Sequence, residues 1–304
     1  MTHMNLKRAL ALAVAAAGAL ASAALSPAKA DENLLGYVKG AETLPKGAAE
    51  LYNWITVRSD KGKGHYLAVD TKTELEYGLT NSFSVSGAVK TQSVDTYGLL
   101  IDGYLPGPKD YAFNPSGIEI GGKYNFLRPA IDPVGFATYF SIEYNWLDPH
   151  SGQDKLTLSA DLDFLFQKYF MDARLIWVGN LGMETTYADR TDIANLPPGF
   201  DWPTDPEMEI ELKAGTGLSY RFAPGWFIGS EVLYETEFET EVGQERWSVF
   251  AGPSLHYASE RWWATLTWMP QLSGGGETYP GQPSGLHLIE KTKQEIRFKV
   301  GINF

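Results

Sequence analysis

The chain ends in EIRFKVGINF, Glu295 to Phe304, where every second residue is apolar (Ile296, Phe298, Val300, Ile302, Phe304) and those between are charged, small or amide. In a pleated strand that period sends one set of side chains to each face. Termini fray unless something ties them down. A strand this regular at the end of the chain therefore predicts a pairing partner elsewhere in the sequence.

The same period recurs upstream. In HYLAVDTKTELEYGLT, Leu67, Val69, Leu75, Tyr77 and Leu79 oppose Asp70, Lys72, Glu74 and Glu76; FSVSGAVKTQS and GIEIGGKYNF add Lys90, Glu119 and Lys123 to the polar face. FATYFSIEYNW sets Phe140, Ile142 and Tyr144 against Glu143, and KLTLSADLDFLF alternates Leu156 to Phe166 with Asp161 and Asp163. FMDARLIWV contributes Asp172 and Arg174, EIELKAGTGLSYRF contributes Glu209, Glu211, Lys213 and Arg221, and WFIGSEVLYETEF contributes Glu231, Glu235 and Glu237. With the weaker candidates ELYNWITVR, WSVFAGPSLHY and RWWATLTWMPQ, the count reaches twelve strands. An even count suits an antiparallel barrel closed from one chain.

Connections and aromatics point the same way. Alternate links are short, around Asn81, Lys168, Ala223 to Gly225 and Ala258 to Glu260, with NFLRPAIDPVG an exception on that side. By contrast, Val94 to Gly117, Glu184 to Pro206 and Ser273 to Glu290 are long and rich in Gly, Pro and Asp, with shorter links near Asp60, Pro149 and Val242. Tyr77, Phe83, Tyr124, Phe136, Trp226 and Trp262 gather at the short-link ends of the apolar face, with Trp146, Phe238 and Trp247 at the other. Long loops on one side, short turns on the other and two aromatic girdles are the marks of a membrane barrel. A secreted β-sandwich also alternates, but it gives rings no reason to recur at strand ends. In a helix the charges would fall all around the axis rather than along one face.

Residues 1–30 read as a cleaved secretory leader: Lys7 and Arg8 precede an uncharged run from Ala9 to Leu25, and small residues precede Asp31. Without Lys7, Arg8 and Lys29, 22 basic residues face 37 acidic ones, a net charge of −15. That balance opposes nucleic-acid binding, which needs a basic surface. There is no cysteine, hence no disulfide and no lipid-modified cysteine anchor.

The ending RFKVGINF resembles the C-terminal signal of bacterial outer-membrane β-barrels. The resemblance implies that Phe298, Val300, Ile302 and Phe304 address the chain to the barrel-assembly machinery in a Gram-negative outer membrane. EYGLTNSFSV resembles a periplasmic hairpin of such barrels. GYVKGAETLPKGAAELYNW, Gly36 to Trp54, with the RSDKGKGHYLAVDTKTELEYGLT that follows, resembles the opening of an uncharacterised family of outer-membrane proteins known only as a domain of unknown function. That likeness implies a fold, a location and a lipid surround, and no activity.

The expected organisation is a leader (1–30), a periplasmic tail or small plug (31–49) whose Leu34, Leu35, Tyr37 and Val38 favour docking, and a transmembrane β-barrel (50–304). Both termini are expected in the periplasm. The proposed lumen holds Asp70, Lys72, Glu74, Glu76, Lys90, Glu119, Lys123, Glu143, Asp161, Asp163, Asp172, Arg174, Glu209, Glu211, Lys213, Arg221, Glu231, Glu235, Glu237, His256, Glu295, Arg297 and Lys299. Acids outnumber bases there, so an open lumen favours cations; if the charges pair across strands and fill the bore, the barrel is a closed structural or surface-recognition element. Small solutes are the expected cargo, without a cofactor.

Catalysis finds little material. His256 faces inward but HYAS lacks a His-x-Ser spacing, His65, His150 and His287 fall in loops where solvated histidines are expected, and GxSxG and HExxH are absent. Carboxylate pairs such as Asp161 with Asp163 or Glu235 with Glu237 suit Ca²⁺ in type, but the same pairs are ordinary lumen polarity, and no metal is assigned.

Overall fold

The computed structural model describes residues 33–100, 109–192, 204–239 and 243–304. The expected leader lies outside them, as do the loop around Pro198 and much of the stretch after Tyr97. Twelve strands follow in order: β1 (Ala49–Ser59), β2 (Lys63–Thr80), β3 (Phe83–Leu100), β4 (Lys109–Leu127), β5 (Gly135–Leu147), β6 (Asp154–Phe170), β7 (Leu175–Arg190), β8 (Glu207–Ala223), β9 (Trp226–Glu239), β10 (Gly243–Ala258), β11 (Trp262–Gly276) and β12 (Gln294–Asn303). Each is antiparallel to its neighbours in sequence, and β12 returns to β1. The result is a closed up-and-down barrel.

The terminal strand finds its partner across the seam. Leu51 lies opposite Ile302, Ile55 opposite Phe298 and Val57 opposite Ile296. Ala49 N donates to Phe304 O at 2.8 Å and Phe304 N to Ala49 O at 2.9 Å. The last residue is thereby held in the ladder.

Alternation then sorts the faces. Ile118, Ile120, Phe140, Ile142, Leu158, Leu181, Val232 and Leu266 stand exposed on the outer wall, Ile120 at 64%. Exposed apolar surface on this scale is stable only against lipid, and the chain is an outer-membrane barrel. Rings cluster where the girdles were expected: Phe126 and Phe136 (5.4 Å), Trp226 and Tyr257 (4.8 Å) and Tyr257 and Trp262 (4.9 Å) at the short-turn end, with Tyr144 and Trp146 (6.2 Å) and Tyr234 and Trp247 (6.5 Å) at the other.

Two boundaries differ from expectation. On the long-loop side β3 and β4 run past the Gly- and Pro-rich stretch expected to end them. A register shift between Lys90 and Thr91 accommodates Pro115 without ending the ladder. The β6–β7 turn lies at residues 171–174 rather than at Lys168, and Met171, Asp172 and Ala173 all take positive φ. Asp172 and Arg174 therefore belong to the turn, not to the lumen. Arg174 Nη2 instead donates to Tyr220 Oη at 2.8 Å, on the exposed side.

Residues 33–48 turn inward before β1 begins. At the short-turn rim Gly47 N donates to Gly78 O (2.8 Å) and Gly78 N to Ala48 O (3.0 Å). Only glycine fits at 78, because a Cβ there would lie 2.1 Å from Pro45 O. From that rim the segment crosses the bore, and Leu34, Leu35, Val38, Ala41 and Leu44 are all buried.

Ile120→Arg places a cation on the lipid face and should cost about 2–4 kcal/mol. Urea titration of the barrel folded in lipid vesicles measures it; an undiminished midpoint would show that Ile120 does not meet lipid.

Candidate functional site

The floor of the interior is the N-terminal segment, and the wall is cut to receive it. Leu34, Leu35 and Val38 pack on inward Ile176, Val178 and Phe227, while Ala41 packs on Ala137, Tyr139 and Leu165. Gly217 clears the space, since a Cβ there would lie 2.3 Å from Leu35 Cδ1. Burying a leucine or valine contributes roughly 1.5–3 kcal/mol. Polar contacts fix the register. The Glu231 carboxylate accepts three successive backbone N–H groups, from Gly36 (2.7 Å), Tyr37 (2.8 Å) and Val38 (2.9 Å). Asn180 pairs with both backbone groups of Lys39 (2.7 and 2.8 Å), and Gln167 Oε1 accepts from Ala41 N (2.8 Å). Lys299 donates to Leu35 O (3.2 Å) and Lys123 to Glu42 O (3.1 Å).

The roof comes from two long-side loops folded into the bore. In the β5–β6 loop, Pro149 O accepts from Gln92 Nε2 (2.9 Å) and from Arg58. In the β11–β12 loop, the Gln271 amide pairs with His287 N (2.6 Å) and His287 O (2.9 Å), and Ile289 packs on Tyr66, Ala68 and Val94. Lys291 continues across to Glu235 (2.7 Å) and Glu211 (3.2 Å). His150 and His287 are thus not the solvated loop histidines expected. Burial beside Arg246, Lys291 and Lys61 pushes the His287 imidazole down to about 3, and burial with Lys61 and Arg246 lowers His150 in the same way. Both remain neutral.

Between floor and roof lies a chamber of about 400 Å³. Seven cations (Lys39, Arg58, Lys72, Lys90, Lys213, Lys291, Arg297) and seven carboxylates (Asp70, Glu119, Glu143, Asp163, Glu235, Glu290, Glu295) line it. Most are matched, Lys39 of the floor with Asp163 (2.9 Å) and, across strands, Arg58 with Asp70 (2.5 Å), Lys72 with Glu119 (3.0 Å) and Lys90 with Glu143 (2.5 Å). Lys213 bridges Asp161 (2.9 Å) and Glu184 (3.0 Å), and Arg246 meets Glu290 and Glu237. A charge removed from water is tolerable when paired and hydrogen-bonded, so the pairing lets this interior exist.

The residues expected in the lumen divide by depth. Asp70, Lys72, Lys90, Glu119, Glu143, Asp163, Lys213, Glu235 and Arg297 line the chamber, with Asp161 behind Lys213. Glu209, Glu211 and Glu237 line a second hollow of about 110 Å³ toward the long loops, while Glu74, Glu76 and Lys123 line a crevice of about 30 Å³ beside Lys39 and Trp54. Glu231 and Lys299 hold the floor. His256 is buried with Nδ1 2.7 Å from Thr265 Oγ1, against Phe227 and Trp263, and is not a chamber residue. Arg221 keeps the inward parity, opposite Phe227 near the β8–β9 turn. Lys39, Arg58, His150, Glu290 and Lys291 were not anticipated: all but Arg58 lie outside strands, where period two carries no information. Carboxylate oxygens come together at Glu207, Glu209 and Glu239 and at Glu237, Glu245 and Glu290. In the second group the Arg246 guanidinium already holds the centre.

The chain belongs to the family of unknown function DUF6662, whose model matches residues 27–304. No characterised protein matches it significantly by sequence. Among solved structures it is similar to an outer-membrane channel from Pseudomonas putida F1, at 13% identity and a TM-score of 0.58, over 87% of this chain and 98% of that one. It is also similar to the β domain of the Bordetella autotransporter BrkA, at 10% identity and a TM-score of 0.53, over 85% and 100%. At such identities the likeness is one of fold.

Glu231→Ala removes the acceptor shared by three N–H groups, and hydrogen bonds to charged groups contribute about 1.5–3 kcal/mol each. Amide exchange at Gly36 to Val38 should accelerate at least tenfold while the strands keep their protection; unchanged exchange would show that the carboxylate does not hold the floor. A second expectation concerns pH. The seated His287 titrates near 3 and a released one near 6.5, so released loops take up protons that seated loops refuse. The His287 contribution to seating is full above about 6.5 and weakens by about 1.4 kcal/mol per unit below it. His150 acts in the same direction, and Glu290, which burial raises to about 7, offsets part of the loss. A spin label on Ser284→Cys should gain mobility from pH 7 to 4.5, and lose that response in the His150→Gln, His287→Gln variant. Mobility independent of pH would contradict the linkage.

Proposed function

We propose that this barrel is a passive outer-membrane channel for small polar solutes, held closed in the present state and weakly selective for cations. The observation that carries the reading is the chamber itself. Its charged, mutually paired lining suits water and polar solutes, and its two boundaries are separate chain segments rather than the wall. A bore filled by wall side chains alone would need neither.

The cation preference rests on an asymmetry outside the chamber. The hollow toward the long loops is lined by Glu143, Asp148, Glu184, Glu209, Glu211, Glu237 and Glu290 against Lys155 and Arg246. A cation entering from that side meets an attractive field and an anion a repulsive one. The crevice beside the floor sets Glu74 and Glu76 against Lys39, Lys72 and Lys123, so the acidic excess belongs to the long-loop side. The reading carries no covalent step. Closure at both ends favours a second reading, a permanently shut barrel with a structural or surface-recognition role.

Planar-bilayer recording separates them. The whole protein should give discrete but small steps, and deletion of residues 33–44 should raise the conductance several-fold. Glu74→Gln with Glu76→Gln should bring the cation-to-anion permeability ratio toward one. Silence from both the whole protein and the truncated form, each shown to be folded by heat-modifiable migration, would overturn the channel reading in favour of the shut barrel.

A further inference from the structure

Of the fourteen charged residues that line the chamber, twelve are ion-paired with a partner of opposite sign. Two make no ion pair among the described residues, Glu295 and Arg297, and they are of opposite sign. They occupy successive inward positions of β12, roughly 7 Å apart along the strand.

Tyr37 keeps them from neutralising each other. Its hydroxyl donates to Glu295 Oε2 at 2.7 Å, and its ring lies 3.7 Å beneath the Arg297 guanidinium. Arg297 Nε donates to Thr56 Oγ1 (2.9 Å) and Nη1 to Gly36 O (3.2 Å), which leaves Nη2 without an acceptor among the described residues. Glu295 Oε1 takes only a long contact from Thr292 Oγ1, at 3.3 Å. A planar cation fixed on an aromatic face with a free N–H edge is a carboxylate receptor. An anion with unused acceptor capacity beside it is an ammonium receptor.

We propose that the chamber is a binding site for a small zwitterion of the amino-acid type, its carboxylate on Arg297 and its ammonium on Glu295. A neutral solute would leave both charges unmatched, and a simple anion or cation would satisfy one and leave a net charge in a closed space. The volume suits the ligand: about 400 Å³ lies within the roughly 300–1,000 Å³ of small-molecule sites. Because Tyr37 belongs to the floor, the site exists only while residues 33–48 are seated. Occupancy therefore favours the seated state by linkage. This deepens the channel reading by naming a cargo or regulator, and its binding arm does not require conduction.

The test is calorimetry on the full barrel folded in detergent, with β-alanine as the zwitterion and propionate and ethylammonium as its one-charge counterparts. β-Alanine should bind at least tenfold more tightly than either. Arg297→Gln and Glu295→Gln should each weaken it at least tenfold, and saturating β-alanine should slow amide exchange at Gly36 to Val38 in the unmodified protein. Equal affinity for β-alanine and propionate would overturn the proposal, as would full binding after Glu295→Gln or no detectable binding of β-alanine. If the variants fail to fold, the three-ligand comparison on the unmodified protein still decides. Binding by a barrel that is silent in bilayers would leave this site standing and remove the channel, whereas conductance without binding would do the reverse.

Discussion

No backbone N–H or C=O can be left unpaired against hydrocarbon, where each such group costs several kcal/mol. A sheet in that setting has one solution, which is to have no edge. The pairing of β12 with β1 supplies it, from Glu50 opposite Asn303 to Ser59 opposite Gln294. Everything else follows from that seam. It brings the first and last strands together at the short-turn rim, so the chain that precedes Ala49 emerges beside the mouth of the bore, in reach of its interior.

Closure also forces a wall with two unlike faces. Outward positions meet lipid, so half of every strand is committed to apolar side chains, and the remaining half must make an interior of whatever polarity function needs. Here that interior is charged, and the cost of confining charge is met by cross-strand pairing, Lys72 with Glu119 and Lys90 with Glu143 among others. Where apolar residues do point inward, at Ile176, Val178 and Phe227, they have Leu34, Leu35 and Val38 to cover them. The same wall is thus polar where it bounds the chamber and apolar where it holds the floor.

The wall was legible because its period is strict. EIRFKVGINF and KLTLSADLDFLF assign each side chain to a face with no knowledge of the partner strand, and the chamber wall follows residue by residue. Arg174 was misplaced because three consecutive left-handed residues, Met171, Asp172 and Ala173, make the turn without the glycine, proline or asparagine that announces one. Pro115 misled in the opposite sense, since a register shift lets the ladder pass it. The roof was illegible: His150, His287, Glu290 and Lys291 lie in loops whose direction is set by tertiary contacts, such as Gln271 with His287, that no local pattern encodes. The docking of the floor was half written. LIWV in β7 is apolar on both faces, and KAGTG in β8 places glycines at inward positions, a shaped vacancy awaiting side chains from elsewhere.

The few residues between Leu44 and Ala49 make the floor a tethered ligand of its own barrel. A free peptide of this size would have to bind its receptor from dilution, and its occupancy would fall as the protein thinned out. Held on so short a leash, the segment experiences an effective concentration in the millimolar range. Its return after displacement is a unimolecular event, independent of how many copies the membrane holds. Whatever dislodges it therefore works against a restoring reaction of fixed rate, and the duration of any excursion is a property written into the length of that leash rather than into the affinity of the seat alone.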